Sequence, residues 1–404
     1  MTLDDSLDDN RKKPHLGMRN VFFLGLISFF TDLSTEMVYP LIPLYLMATL
    51  GATPALVGVV EGIAESLASL LKVFSGYISD RFQKKKGLAF WGYAGGVFYK
   101  IALLIAGSWV GILTARIIDR TGKGIRTAPR DVLVAESAGD SMGKAFGLHK
   151  ALDMSGAALG IFITYLLMRN MPSSDNFRPI FIASLIPALL GLGMFTFVRQ
   201  TKNPPAQREP FWKNIKGIDG PLRVYLLVVF LFNLGNSSNA FILIKAKSAG
   251  FDDTNVILLY LLFSLVASAL ALPAGRLSDR IGRKRLLVPG YLVFSVCYLG
   301  FAFAGSGAMM ILTFTLYGAY TAMITGVERA FVAEISPAHL RGTMLGLQST
   351  IAGIALLPAS VIAGFLWNRY GSTVPFLFGA AMSTLAAILV LTRIPSYRPK
   401  PNLS

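Results

Sequence analysis

Apolar residues fill this chain in stretches about as long as a bilayer is thick, and polar residues gather in the short breaks between them. A helix needs about 20 residues to cross the hydrocarbon. The pattern therefore predicts twelve helices, at 19–48, 54–80, 87–106, 109–135, 143–168, 177–198, 221–247, 254–279, 286–305, 308–334, 341–367 and 373–393. The expected fold class is an all-α membrane protein. The opening residues MTLDDSLDDNRKKPHLG lack the apolar core of a secretory signal and read as a polar tail.

Basic residues occupy alternate breaks. Arg81, Lys84, Lys85 and Lys86 follow the second helix, a basic run lies between Arg199 and Arg223, and Arg280, Arg283, Lys284 and Arg285 follow the eighth. The breaks near 51, 108, 250 and 306 carry no Lys or Arg. Because cytoplasmic loops accumulate Lys and Arg, the chain is expected to be multi-pass in the cell inner membrane, with both termini cytoplasmic.

An internal repeat organises the helices. GYISDRFQKKK at 76–86 aligns with GRLSDRIGRKR at 275–285, an offset of 199 residues, and Gly147 and Gly346 repeat that offset. Glu136 and Glu334 fall at 198. Duplication predicts a tail at 1–18, a six-helix bundle at 19–198, a linker rich in Pro, Lys and Arg at 199–220, a second bundle at 221–393 and a tail at 394–404. Two pseudo-symmetric bundles enclosing a midplane cavity follow.

Composition agrees with a membrane protein: 53% of the 404 residues are hydrophobic and 15% charged. The net charge of +16 would suit nucleic acid, but its distribution among loops between apolar segments fits membrane topology better. Cys297 is the single cysteine, so neither an intramolecular disulfide nor a Cys-rich metal site can form. There is no H-E-x-x-H, no G-x-S-x-G, and the glycines of TGKG from Thr121 lack the phosphate-loop pattern. Neither an enzyme, nor an ATP-driven pump, nor a cofactor or metal is expected, and the chain is expected to act as a monomer.

The two basic loop motifs resemble the signature G-x-x-x-D-R-x-G-R-R-x of the major facilitator superfamily. The second copy matches through Gly275, Asp279, Arg280, Gly282, Arg283 and Lys284; the first keeps Gly76, Asp80, Arg81, Lys84 and Lys85 but has Gln83 in place of the second glycine. The resemblance implies the twelve-helix fold of that superfamily and transport of a small molecule by alternating access. It also implies gating and topological roles for Gly76, Asp80, Arg81, Gly275, Asp279 and Arg280, with Glu136 and Glu334 as their acidic companions.

An ionisable residue inside a span costs roughly 2.5–3.5 kcal/mol and normally faces protein or a wet cavity. Asp32 and Glu36 in the first helix, and Glu61 and Glu65 in the second, are pairs four residues apart on one helical face. Close carboxylates oppose one another's ionisation, which makes Asp32, Glu36 and Glu61 candidates for carrying a coupled proton; fixed ion pairing is the competing reading. The fourth helix carries Arg116, Asp119, Arg120, Lys123 and Arg126, with Arg130 and Asp131 toward its end. Arg116 stands where the superfamily's R-x-x-q-G motif has its arginine, with Asp119 and Arg120 replacing the Gln and Gly, and the resemblance implies a role for it in proton coupling.

Further cavity candidates are Tyr39, Glu65, Asp119, Arg120, Lys123, Arg126, His149, Asp153, Asn233, Asn236 and Tyr260. His149 and Asp153 have the i, i+4 spacing of a pair, and the polar run of the seventh helix suits hydrogen bonding to a solute. Gly147, Gly156 and Gly160 resemble the fifth-helix motif of superfamily antiporters, although close helix packing explains small residues equally well. The functional expectation is a proton-coupled secondary active transporter. It extends to efflux or antiport of a drug-like compound or organic anion; import of an organic anion or siderophore-like solute, and a transporter-like membrane receptor or sensor, are the alternatives.

Overall fold

The computed structural model describes residues 17–82, 84–138, 141–171, 177–200, 220–337 and 341–395. The expected tails and nearly all of the 199–220 linker lie outside these residues, as do Gln83 and the side chains of Gly76, Asp80 and Arg81. The described chain is helical: α1 (Gly17–Val38), α2 (Leu41–Ala48), α3 (Pro54–Phe82), α4 (Lys85–Ile105), α5 (Trp109–Ala138), α6 (Met142–Asn170), α7 (Phe177–Gly193, extended by a 3₁₀ turn Met194–Phe197), α8 (Gly220–Gly235), α9 (Ala240–Ser248), α10 (Asp253–Ile281), α11 (Arg283–Phe303), α12 (Gly307–Ile324), α13 (Val327–Ile335), α14 (Arg341–Tyr370) and α15 (Val374–Arg393).

Counting broken pairs as single rods, 11 are long and apolar enough to cross a bilayer. The remaining rod, α5, is long enough at 30 residues but carries the charged stripe from Arg116 to Glu136. It is tolerated because protein covers it: Arg116, Asp119, Arg120 and Arg126 are all buried.

Three predicted helices are interrupted, and two of the interruptions obey the repeat. The first rod breaks at Tyr39–Pro40 and the seventh at residues 236–239, so Tyr39 and Ser238 stand 199 residues apart. Pro40 has no N–H to continue the helix. At the other break the Ser238 hydroxyl accepts from the N–H of Ala240 at 3.2 Å, competing with the helical ladder. The tenth rod parts at Thr325–Gly326, between α12 and α13.

The loop motif after α10 shows why its second glycine matters. Gly282 has φ +96, a conformation that a side chain disfavours. It ends α10 through its N–H bond to Ser278 O at 3.0 Å and admits Arg285 N to its own carbonyl at 3.1 Å.

The two halves meet along α3 and α14, where small residues let the backbones touch. A Cβ on Gly58 would lie 2.3 Å from Ser360 O, one on Gly364 2.6 Å from Pro54 O, and one on Gly353 2.7 Å from the Ser69 side chain. At the end of the molecule away from the basic loops, α2 and α9 are in contact, and every residue from Leu41 to Leu46 and from Ala240 to Ala246 is buried. That end is closed.

The basic end is less covered between α6 and α10. Residues 141–144 at the start of α6 and 269–273 of α10 are exposed without interruption, although Ala274 and Ser278 beyond them are buried. A full turn exposed on all faces has no neighbouring helix at that level among the described residues, which leaves an aperture there.

Candidate functional site

A cavity of about 390 Å³ lies between the halves, beside both pseudo-symmetric helix breaks. From the first half it is lined by Asp32, Thr35, Glu36 and Tyr39 around the α1 break, Glu65 of α3, and Asp119, Arg120, Lys123 and Arg126 of α5. From the second half come Asn236, Ser237, Ser238 and Asn239 of the α8–α9 break, Tyr260 and Phe263 of α10, and Tyr317, Tyr320, Thr321 and Thr325 of α12 and its end. The first wall is charged; the second is made of amides, hydroxyls and aromatic rings.

On the charged wall, two arginines already have carboxylates within 4.0 Å, although Arg116 Nε and Nη1 and Arg120 Nε, like Arg126 Nη1, have no hydrogen-bond partner. Arg116, fully buried, donates to Glu61 Oε2 at 2.6 Å and has Asp119 at 3.5 Å and Glu65 at 3.8 Å. Arg120 meets Glu65 at 2.8 Å and Asp119 at 3.6 Å. Both guanidinium groups also lie over the Tyr39 ring, at 5.2 and 5.5 Å from its centroid, a contact that favours a desolvated cation. Ser238 adds a hydrogen bond to Glu61 Oε2 at 3.3 Å from the other half. Glu61 thus sits at the start of α9, where helix N–H groups favour negative charge.

Four charged groups lining the cavity make no ion pair within 4.0 Å among the described residues: Asp32 and Glu36 on α1, and Lys123 and Arg126 on α5. Glu36 accepts a hydrogen bond from Tyr260 across the cavity at 3.4 Å. The Arg126 guanidinium lies 4.5 Å from the Tyr93 ring centroid, and its Nη1 has no hydrogen-bond partner. The Asp32 carboxyl group lies close to that of Asp153 on α6.

Other predicted residues stand apart. Glu61 and Arg116 sit behind the lining, and Asn233 turns back to Val229 O at 2.8 Å. The expected His149–Asp153 pair does not form: His149 Nε2 is 2.9 Å from Ser28 Oγ, itself bonded to Tyr93, while Asp153 takes Lys150 at 2.8 Å. Helical spacing alone does not make a pair when a neighbouring helix offers a closer partner. Asn236 donates to the Tyr320 hydroxyl at 3.2 Å, and Asn239 accepts from Tyr317 at 3.0 Å.

Sequence reasoning missed Lys100. It is fully buried on α4, with its ammonium 3.5 Å from Thr35 Oγ1 and 4.9 Å from the Tyr99 ring centroid, and no carboxylate within 4.0 Å among the described residues. The signal was present, since a lysine in the run FYKIALLIAG is as costly as one on α5. Also missed was the aromatic wall from Tyr260 through Phe263 and Tyr317 to Tyr320, with successive centroids 5.5, 5.2 and 5.1 Å apart.

At the basic end, the repeated acids hold the repeated loops. Glu136 pairs with Lys85, and Glu334 accepts from Arg283 at 3.1 Å. Arg283 also lies 3.7 Å from Asp279. Gly275 has open space around it and Arg280 is exposed. The fifth-helix glycines divide: a Cβ on Gly156 or Gly160 would lie 2.2 or 2.3 Å from Phe29 O or Leu33 O, whereas Gly147 faces open space. Close packing of α6 on α1 accounts for the first two. Among the described residues no group of three or more His, Cys, Asp or Glu is arranged to hold a metal.

Comparison with known proteins follows the same lines. The model of the Major Facilitator Superfamily matches residues 24–232 and 224–404. An uncharacterised MFS-type transporter of Methanocaldococcus jannaschii is 34% identical over 394 residues, covering 96% of this chain and 98% of the relative. Among solved structures, a nucleoside transporter aligns with TM-score 0.79 at 12% identity, over 92% of this chain and 99% of its own. A D-xylose–proton symporter aligns with TM-score 0.71 at 20% identity, over 94% and 98%. These two share the fold.

Proposed function

The chain belongs to the major facilitator superfamily, and from that premise we propose that it is a secondary active transporter coupling a small charged solute to protons. The observation that carries this reading is the cavity in which Asp32 and Glu36 stand without ion pairs, opposite Lys123 and Arg126. A carboxylate fixed by an arginine keeps its charge; one free of such a partner can exchange a proton as its surroundings change. Asp32 and Glu36 are accordingly the proton carriers, and Glu61 with Arg116 is the rigid pair behind them.

The geometry supports alternating access. In this conformation the solute enters at the aperture between α6 and α10, and α2 and α9 form the barrier. Closure at the basic end engages the loops held by Glu136 and Glu334, while the α3–α14 seam serves as the line about which the halves rock. By the distribution of Lys and Arg, the basic end is cytoplasmic, both termini are cytoplasmic, the membrane is the cell inner membrane and the bundle halves follow the 19–198 and 221–393 division.

The test is flux in proteoliposomes under an imposed pH gradient. The unaltered protein accumulates or expels a solute in response to the gradient. Asp32→Asn and Glu36→Gln each reduce gradient-driven flux, and the double variant abolishes it while retaining exchange of solute for solute. Full gradient-driven flux in the double variant would overturn the coupling scheme.

A further inference from the structure

We propose that the solute is amphoteric: its anionic group binds Lys123 and Arg126, and its cationic group binds Glu36, across one cavity. This rests on the transport reading above and specifies its substrate class.

The argument begins with what is already neutralised. Arg116 and Arg120 have Glu61, Glu65 and Asp119 within 4.0 Å, so an incoming anion would have to displace a buried carboxylate to reach them. Lys123 and Arg126 have no such partner. They lie one helical turn apart on the same helix, so both reach one solute group. Arg126 is only 5% exposed, lines the cavity and retains a nitrogen without a hydrogen-bond partner. A buried guanidinium left in that state costs free energy that a bound carboxylate or phosphate would recover.

The opposite charge is present on the same wall. α1 packs against α5, and Glu36 of α1 lies within electrostatic reach of Lys123 but outside ion-pair distance. Both line the one cavity, so a solute seated there faces the two. Asp32 has the Asp153 carboxyl group beside it, on the neighbouring helix α6. That leaves Glu36 as the carboxylate available to an ammonium.

Charge balance selects the same class. Asp32, Glu36, Glu61, Glu65, Asp119 and Asp153 face Lys100, Arg116, Arg120, Lys123 and Arg126 in or behind the cavity. Lys150, paired with Asp153 at 2.8 Å, completes the basic set, and the two sets cancel. A solute of net charge would leave an uncompensated charge inside the membrane protein, whereas an amphoteric solute adds none. The second half contributes no charged residue to the lining. Its aromatic and amide groups therefore contact the uncharged body of the solute.

The experiment uses the full chain, in detergent for binding and in proteoliposomes for flux. Its probes are matched series on phenylpropyl and hexyl skeletons, each comprising the amino carboxylate, the carboxylate, the amine and the alcohol. Thermal stabilisation gives apparent affinity. We expect the amino carboxylates to bind at least ~10-fold more tightly than any singly charged or neutral partner on the same skeleton, as the loss of one charge-assisted contact implies. Lys123→Gln and Arg126→Gln should weaken the amino carboxylate and carboxylate but not the amine. Glu36→Gln should weaken the amino carboxylate and amine but not the carboxylate. Arg126→Lys retains the charge and guards against a folding defect, with monodispersity on size exclusion as the control. Equal or tighter binding of a carboxylate or an amine, or amino-carboxylate affinity unchanged by Lys123→Gln and Arg126→Gln, overturns the inference. Gradient-driven flux of a singly charged probe alone overturns it while sparing proton-coupled transport; no gradient-driven flux of any probe counts against both.

Discussion

Replacing Glu61 by Gln removes the carboxylate that Arg116 contacts at 2.6 Å, where the two side chains are 1% and 0% exposed. Deleting one partner of a buried ion pair costs about 3–5 kcal/mol, because the surviving charge is left without compensation. Arg116 keeps Asp119 at 3.5 Å and Glu65 at 3.8 Å, which places Glu61→Gln at the lower end, about 3 kcal/mol. Arg116→Leu is more severe: it leaves Glu61 with the Ser238 hydroxyl at 3.3 Å and deprives Asp119 of one of its two arginines. Its expected cost is about 5 kcal/mol. The double variant Glu61→Gln/Arg116→Leu removes both charges and should be more stable than the sum of the single losses by about 2–3 kcal/mol. The assay is denaturant unfolding of the four proteins in mixed micelles, followed by tryptophan fluorescence. Losses that add to within ~0.5 kcal/mol would refute the view that Glu61 and Arg116 act as one compensated pair.

Four further outcomes are expected. Gly156→Leu and Gly160→Leu, whose added Cβ atoms would fall 2.2 and 2.3 Å from backbone oxygens of α1, should each destabilise by about 2–3 kcal/mol, while Gly147→Leu should remain within ~0.5 kcal/mol; thermal unfolding in detergent reads all three. Lys100→Met replaces a fully buried ammonium with no carboxylate within 4.0 Å among the described residues by an apolar side chain of similar length; relief of its desolvation opposes the loss of its charge from the balanced set, so stability should change by no more than ~1 kcal/mol while gradient-driven flux falls. A loss well beyond that would show that a neighbouring carboxylate compensates Lys100 directly. Cys297 is fully buried and should resist a maleimide until the protein unfolds. In a Cys297→Ser background, Lys150→Cys, at a position 65% exposed beside the aperture, should label in inside-out but not right-side-out vesicles, and the reverse pattern would invert the proposed orientation.

The helix breaks explain why the cavity sits where it does. Tyr39 and Ser238 occupy equivalent places in the repeat, and each break frees the chain from a continuous ladder at the level where the two walls face each other. Irregular backbone at that depth is tolerated because it lines a cavity rather than lipid. Divergence then gave the two walls different chemistry. The first half acquired charges and the second rings and amides, so the halves share a scaffold but not a recognition surface.

Most of the architecture was legible along the chain. Span length follows from bilayer thickness, and the offset of 199 residues between the loop motifs points to duplication. The sequence also identified a charged stripe that could not face lipid, because the cost of a charge in hydrocarbon is a property of the residue type alone. It did not determine which charges pair. His149 and Asp153 have helical spacing but bond to Ser28 and Lys150 instead; Lys123 and Arg126 share a stripe with Arg116 and Arg120 but lack their carboxylates. Pairing depends on the distance between side chains of different helices, and helix-to-helix distance is set by contacts such as Gly156 on Phe29 and Gly122 on Gly92. Periodicity within one helix carries no information about those contacts. Sequence alone thus fixed the spans, the repeat and the inventory of intramembrane charge, and the tertiary packing decided which charges were spent on one another and which were left facing the cavity.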